Sequence, residues 1–304
     1  PYAAPLQRFP ASISTADRKL IRNEVLTVIR TQVQPAYLRF SLFLSRTYVP
    51  AGRANAGLWS IPAGDAYYAF LIGQSTTTTL TPQQVHQLAV HQVAQDEAAM
   101  LALAQKLGLA DLSALHKAVS GNYRFQAYAS QDLSNIYKNA LPAMPSTLPP
   151  FRRYARYRAF MDGWALYIET TSITTSPYQR LGLLELDRYH AALAVADTGI
   201  HALHWTRQQA IDYVLAHTML ANAHDTIAEA MEGVDHIIAQ PAQSLAATIG
   251  EIELTQLRAQ AEKSLGPKFS LRAFNQAILN SGPLPMDLLQ QQIDQWIARQ
   301  NASQ

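Results

Sequence analysis

The sequence predicts an all-α chain, on three observations. Apolar residues recur at helical spacing through 17–30 and through most of the later chain. Helix start signals stand where those apolar runs begin: Ser14 or Thr15 before Asp17, Thr81 before Pro82, Thr206 before Arg207 and Ser270 before Leu271. The links between the segments are short, and no repeat of fixed period divides the chain. A single helical domain over residues 1–304 is the resulting expectation.

In order, residues 1–13 read as an irregular lead-in to a helix over 17–30. Pro35, which lacks an N–H and crowds the preceding turn, should kink or restart that helix. Tyr37, Phe40, Leu42, Phe43 and Leu44 then carry an apolar face to about Arg46. From 48 to 73 the texture changes. Pro50, Gly52, Gly57, Pro62 and Gly64 punctuate short apolar pieces such as Ala66–Ile72, which predicts an irregular region or a small hairpin. The Thr81-Pro82 signal opens a helix to about Leu107, with Gly108 just beyond it. Further helices fit 111–120, 128–140, 153–174, 179–203, 206–219, 223–239 and 243–264, then Ser270 to Leu279 and Pro285 to Arg299. The proline-rich tract 140–150 separates two of them.

Composition narrows the function classes. With 304 residues and 48% hydrophobic content the chain can bury a sizeable core. Charged residues make up 15%, below the roughly 25% of an average domain, so much of the polar surface is uncharged. A net charge of +2 offers no electrostatic footprint for nucleic acid. The short cluster Arg152, Arg153, Arg156 and Arg158 reads as a solvated helix face. The absence of cysteine excludes disulfides, thiolate nucleophiles and Cys-bound metals. No stretch of 18 apolar residues is present, so no membrane span is expected. No signal peptide stands at Pro1.

The densest set of reactive side chains runs from Phe151 to His201. Asp162 and Glu169 are seven apart and share a helix face, with Leu166 between them. Asp197 and His201 are four apart and should also meet on one face. A buried helix pair with an internal Asp–His contact explains this spacing; so does the wall of an active site. Asp197, His201 and His204 could also hold a metal from one helix, although nothing obvious orders their outer partners. Neither a Gly-x-Ser-x-Gly turn nor a Gly-rich phosphate loop occurs.

A family resemblance rests on an ordered set of motifs. These are Tyr67-Tyr68, Thr81-Pro-Gln-Gln-Val-His86, Asp162-Gly-Trp-Ala-Leu-Tyr167, Asp197-Thr-Gly-Ile-His201, Trp205 to Ile211, Gln240-Pro-Ala-Gln243 and Leu271 to Pro285. Together they resemble the bacterial domain-of-unknown-function 885 family, helical proteins with a zinc-metallopeptidase-like signature, from about Pro35 onward. The resemblance implies a metallopeptidase-like helical body and the C-terminal part of a longer architecture. It implies zinc in intact members, a peptide or small amide substrate, and a periplasmic or secreted location.

The resemblance also assigns roles. Glu169, Asp197 and His201 would be catalytic groups of a residual cleft. Trp164, Tyr167 and Gln243 would contact substrate, and Asp162 would mark a remnant metal-ligand position. Family members carry His-Glu-x-x-Pro-Gly-His before the Gly-Trp-Ala-Leu-Tyr segment. This chain passes instead from Ile136–Ala140 through the proline-rich tract into Leu148-Pro-Pro-Phe-Arg-Arg153. Two ligands and the general base of a zinc site would go with that segment, and a base alone is worth roughly 10²–10⁴ in rate.

Other positions depart as well. The expected Glu is Asp162, which retracts the carboxylate by about 1.5 Å, and ligand distances tolerate about ±0.2 Å. An Arg-Tyr pair is replaced by His236-Ile237, a Tyr by Ala247, a His by Asn275 and a Glu by Gln92. The expectation is a degenerate or truncated homologue with no cofactor of its own. The alternatives are an active metallohydrolase fragment that needs the missing segment, and a non-catalytic peptide-binding module. A deletion inside the body should expose apolar surface near Phe151, Phe160 and Trp164, to be covered by a homodimer or a missing N-terminal half.

Overall fold

The computed structural model describes residues 2–119, 147–171, 177–218 and 223–302. Among these residues there is no strand, and the all-α expectation holds. Two compact units form, Pro1–Ala54 and Asn55–Gln304.

In the first unit, Ser14 caps α1 (Thr15–Val28) by accepting from the Asp17 backbone N–H at 3.1 Å. The chain does not break at Pro35. It widens into a π turn over Ile29–Val33 and resumes as α2 (Gln34–Phe43), with Pro35 in the first turn, where a missing N–H costs least. The expected apolar residues are present but unburied: Tyr37, Phe40 and Phe43 are each at least half exposed, Leu42 is exposed and Leu44 is half-buried.

In the second unit, a 3-10 turn at Leu58–Ser60 leads into α3 (Gly64–Thr76). Only the stretch before α3 is irregular. Ala66–Ile72 lies within the helix, and the hairpin alternative is not realised. Tyr68, Ile72 and Thr76 are spaced by four and are all buried, so a helix period hides inside a strand-like run.

The long helix α4 (Pro82–Lys106) opens with a capping box between Thr81 and Gln84, and α5 (Leu112–Val119) follows. The helix expected at 128–140 lies outside the described residues. The one expected over 153–174 is divided into α6 (Pro150–Tyr154) and α7 (Arg158–Thr171), because Ala155 is extended, with ψ 140°. That break turns Tyr157 toward the core while Tyr154 stays exposed.

The rest of the body comprises α8 (Pro177–Ala202), α9 (Arg207–Ala216), α10 (Ala223–Ala239), α11 (Leu245–Leu265), α12 (Leu271–Leu279) and α13 (Met286–Ala302). Helix α8 is the central strut. From Leu181 to Arg188 and from Ala191 to His201 every residue is buried. Its sides pack against α3, α4 and α11, against α9 and α10, and against α5 near its start. A helix enclosed all round shows little amphipathic pattern, and the apolar residues of α8 are accordingly spread over every face.

Helices α7 and α11 cross backbone against backbone. A Cβ on Gly163 would lie 2.5 Å from Gly250, and one on Gly250 would lie 1.9 Å from the Ala159 carbonyl oxygen. This crossing sets Phe160, Trp164 and Tyr167 into a core shared with Leu254, Phe274 and Ile293. The expectation of exposed apolar surface is therefore corrected at two of its three positions. Phe160 and Trp164 are buried, and of the three only Phe151 is exposed, at 74%.

No described helix is long and apolar enough to cross a membrane. Gly163→Ala and Gly250→Ala should each destabilise at the upper end of about 1–3 kcal/mol, because backbone rather than a flexible side chain must move. Gly73→Ala meets only ordinary contact, 3.7 Å to the Thr78 carbonyl oxygen. It should be neutral or stabilising by up to about 1 kcal/mol, and thermal melting of the three variants checks the contrast.

Candidate functional site

The C-terminal end of α8 gathers partners from four directions. Asp197 is fully buried, and its Oδ1 accepts from the Tyr68 hydroxyl at 2.8 Å and from the Ala242 backbone N–H at 3.0 Å. Its Oδ2 accepts from the Ser244 hydroxyl at 2.6 Å. Burial pushes the carboxyl up to about 6, and the hydrogen bonds from Ser244, Tyr68 and Ala242 oppose that rise. Burial also raises the Tyr68 hydroxyl well above its ordinary value, with the Asp197 charge adding to it.

His201 lies one turn on. Its Nε2 is 3.2 Å from the Ile237 carbonyl oxygen, which can only accept, so Nε2 carries the proton. Nδ1 then accepts from the Leu58 backbone N–H at 3.1 Å. Both ring nitrogens are thereby engaged with backbone, and the Tyr68 ring packs on the imidazole with centroids 5.1 Å apart. Tyr68 thus touches both Asp197 and His201. The pair joins α8 to α3, to the 3-10 turn at Leu58, to α10 and to the turn before α11. His204 is not on the helix. It follows the end of α8 in a left-handed conformation, φ 60°, and stacks on Trp59 at 4.1 Å.

The α7 candidates face different surroundings. Asp162 is partly buried and pairs with Arg158 Nε at 3.1 Å, one turn back. Burial raises its carboxyl, and the Arg158 charge and hydrogen bond pull it down. Glu169 is half-buried on the same helix. Trp164 and Tyr167 are core residues with ring centroids 5.7 Å apart, and the Tyr167 hydroxyl donates to Asn275 Oδ1 at 3.3 Å. Gln243 Oε1 stands 3.0 Å from His236 Nε2. His236 and Ser244 also border a cleft between α8 and α10 that Tyr189, Glu229 and Glu232 line.

The spacing of the sequence gives no sign of a second polar group inside the body. Asp96 on α4, Asp187 on α8 and Glu251 on α11 are all buried. Gln92 Nε2 bridges the first two, 3.2 Å from Asp96 Oδ1 and 3.1 Å from Asp187 Oδ2. Beside them the buried Arg188 binds Glu185, with Nε to Oε2 at 3.1 Å. The signal that could have found this group is the run of four charged or polar residues, Glu185, Asp187, Arg188 and His190, inside an otherwise apolar segment. Among the described residues, no three of His, Cys, Asp and Glu are grouped so as to hold a metal ion.

The family model for a bacterial protein of unknown function, DUF885, matches residues 1–149 and 143–293. A solved chain from Colwellia psychrerythraea, named as a putative lipoprotein, is similar with a TM-score of 0.72 and 22% identity. The likeness covers 98% of this chain and 66% of that one, so this chain spans just under two thirds of that protein's length. No curated protein matches.

Asp197 gives a test that separates clamp from catalyst. Asp197→Ala strands the Tyr68 hydroxyl, the Ala242 N–H and the Ser244 hydroxyl, and should cost about 3–5 kcal/mol in denaturant unfolding. Asp197→Asn keeps the Oδ1 acceptor, and its amide can donate to a rotated Ser244 hydroxyl, so the loss should stay within about 1 kcal/mol.

Proposed function

Because the chain belongs to the DUF885 family of bacterial proteins, we propose that it is a degenerate or truncated homologue of a zinc-metallopeptidase-like hydrolase, without a catalytic metal site of its own. The observation that carries this reading is the division of the family match. Its two stretches meet at 143–149, inside the proline-rich tract where the motif order puts a lost segment. None of the nine histidines is followed by Glu, so a His-Glu pair does not recur elsewhere in the chain.

The side chains near the cleft support the same reading. A zinc site needs about three protein ligands and an open position. Asp162, the remnant position, has Arg158 as its neighbour, and a guanidinium at a ligand position opposes a bound cation. The Tyr167 hydroxyl is turned to Asn275 and His236 to Gln243, so two of the departed positions are now occupied by contacts within the chain. The donor set of the described residues therefore does not fit zinc.

A non-catalytic peptide-binding role is the second reading, favoured by the α8–α10 cleft. Glu229 and Glu232 on its wall would suit a basic peptide side chain. The chain would then be the C-terminal helical domain of a longer architecture, consistent with the third of the Colwellia psychrerythraea chain that has no counterpart here. That protein's name as a lipoprotein supports a periplasmic or secreted location.

Metal analysis of protein purified without added metal should find no stoichiometric zinc, and a chelator should leave any peptide hydrolysis unchanged. One equivalent of zinc together with chelator-sensitive hydrolysis would sink the proposal in favour of an active metallohydrolase.

A further inference from the structure

The acids enclosed between α4, α8 and α11 are more than packing. Gln92 holds one oxygen of Asp96 and one of Asp187 with a single amide nitrogen, at 3.2 and 3.1 Å. That leaves Asp96 Oδ2 and Asp187 Oδ1, both shut off from solvent, with no hydrogen-bond donor among the described residues reaching either. The two side chains are close enough to hydrogen bond to each other once one carries a proton. Two ionised carboxylates held this way repel in a medium that screens poorly, and an orphaned buried carboxylate oxygen is costly. Something must neutralise one of them.

Among the described residues, the surroundings supply little positive charge. Glu251 faces the pair from α11, and Thr255 one turn on holds its Oε1 at 3.1 Å. Arg188 faces Asp96 from α8, but it is engaged by Glu185, with Nε to Oε2 at 3.1 Å, and lies 3.8 Å from Glu97 of α4. Glu97 is also 2.9 Å from His217 Nδ1 at the end of α9. One guanidinium thus stands among Asp96, Asp187, Glu185 and Glu251, all buried. No three of the described His, Cys, Asp and Glu residues are grouped to hold a metal ion. A proton is the neutraliser that the geometry can hold.

We propose that Asp96 and Asp187 share one proton, and that this proton makes the α4–α8 contact a pH-sensitive joint, locked while the proton is held and loosened when rising pH removes it. Burial, and then the Glu251 charge, push Asp96 up to about 8, against the pull of Gln92 and Arg188. Burial, Glu251 and Asp96 raise Asp187 well above its ordinary value. Glu251 itself is pushed up to about 7, by burial.

The sign follows from linkage. An unfolded Asp gives up its proton near pH 4, whereas the folded pair keeps one to about pH 8. Between those values the folded state binds more protons than the unfolded, so stability falls as pH rises. Each retained proton weakens the folding constant about tenfold per pH unit until the folded value is passed. The joint is independent of the metal question: it would operate in an active or an inactive homologue.

Thermal melting of the full chain from pH 6 to 9 at fixed ionic strength tests it, with Asp187→Asn, Asp96→Asn and Glu251→Gln beside the parent. The parent midpoint should fall through this range and level off near its upper end. In Asp187→Asn the amide donates permanently to Asp96 Oδ2, so above pH 7, where Glu251 has given up its own retained proton, the midpoint should be nearly flat and should exceed the parent's at high pH. Asp96→Asn should behave alike from the other side.

Should either variant fail to fold, carbon-13 NMR of the parent gives a direct reading. One aspartate carboxyl should be protonated at pH 7 and titrate near 8. A flat parent midpoint, an unchanged slope in both Asn variants, or no protonated aspartate at pH 7 overturns the proposal. So does a slope that vanishes only in Glu251→Gln, which would put the proton on that residue instead.

Discussion

Burying α8 from Leu181 to Arg188 and from Ala191 to His201 leaves its polar side chains to be matched by groups inside the protein rather than by solvent, and Asp187 Oδ1 is the atom left over. Water is not available to Asp187, Arg188, Asp197, Thr198 or His201, and a buried group left unmatched costs about 1–3 kcal/mol, more when charged. The surrounding elements are placed accordingly. Helix α3 brings Tyr68 to Asp197, α4 brings Gln92 to Asp187 and His86 to Thr198, and α10 brings the Ile237 carbonyl to His201. The fold can be described as one nearly apolar rod whose few polar positions dictate what stands next to it.

That description changes the meaning of the Asp-Thr-Gly-Ile-His segment. Its residues are the reactive types that an active site would use, and their spacing puts them on one side of a helix. The same types also serve for tying backbone together in a dry interior. Asp197 accepts three hydrogen bonds and His201 has backbone on both nitrogens. The glycine between them is just as mechanical in its role, since a Cβ at Gly199 would stand 2.3 Å from the Trp205 ring. Such a segment can persist in a homologue that no longer catalyses anything, because the fold itself needs it.

Much of the architecture is legible from local chemistry. The caps at Ser14, Thr81, Thr206 and Ser270 are where the residue types place them, since a hydroxyl preceding a helix acts within a few residues. What is not legible depends on distant chain. Ala66–Ile72 resembles a strand until Gly64 is seen pressed against the Leu58 carbonyl and the 68–72–76 face against the core. The extended Ala155 carries no breaker of its own. Trp164 reads as part of an open surface because Gly163 beside it does not reveal its crossing partner, Gly250, far along the chain. The buried acids stay hidden for a related reason: a charged residue on a rod without amphipathic pattern gives no clue to which side is wet.

The turn between α10 and α11 shows where such information resides. Ala242 has a φ of 64°, a left-handed conformation that an alanine does not choose by itself. Its N–H points at Asp197 and Ser244 follows on the other oxygen of the same carboxylate, so two points of the turn are pinned to one side chain. The instruction for this loop is stored 45 residues upstream, on the inner rod, rather than in the loop's own letters. Grafting the sequence Gln240–Ser244 into another helical protein would carry the words of the turn without their grammar.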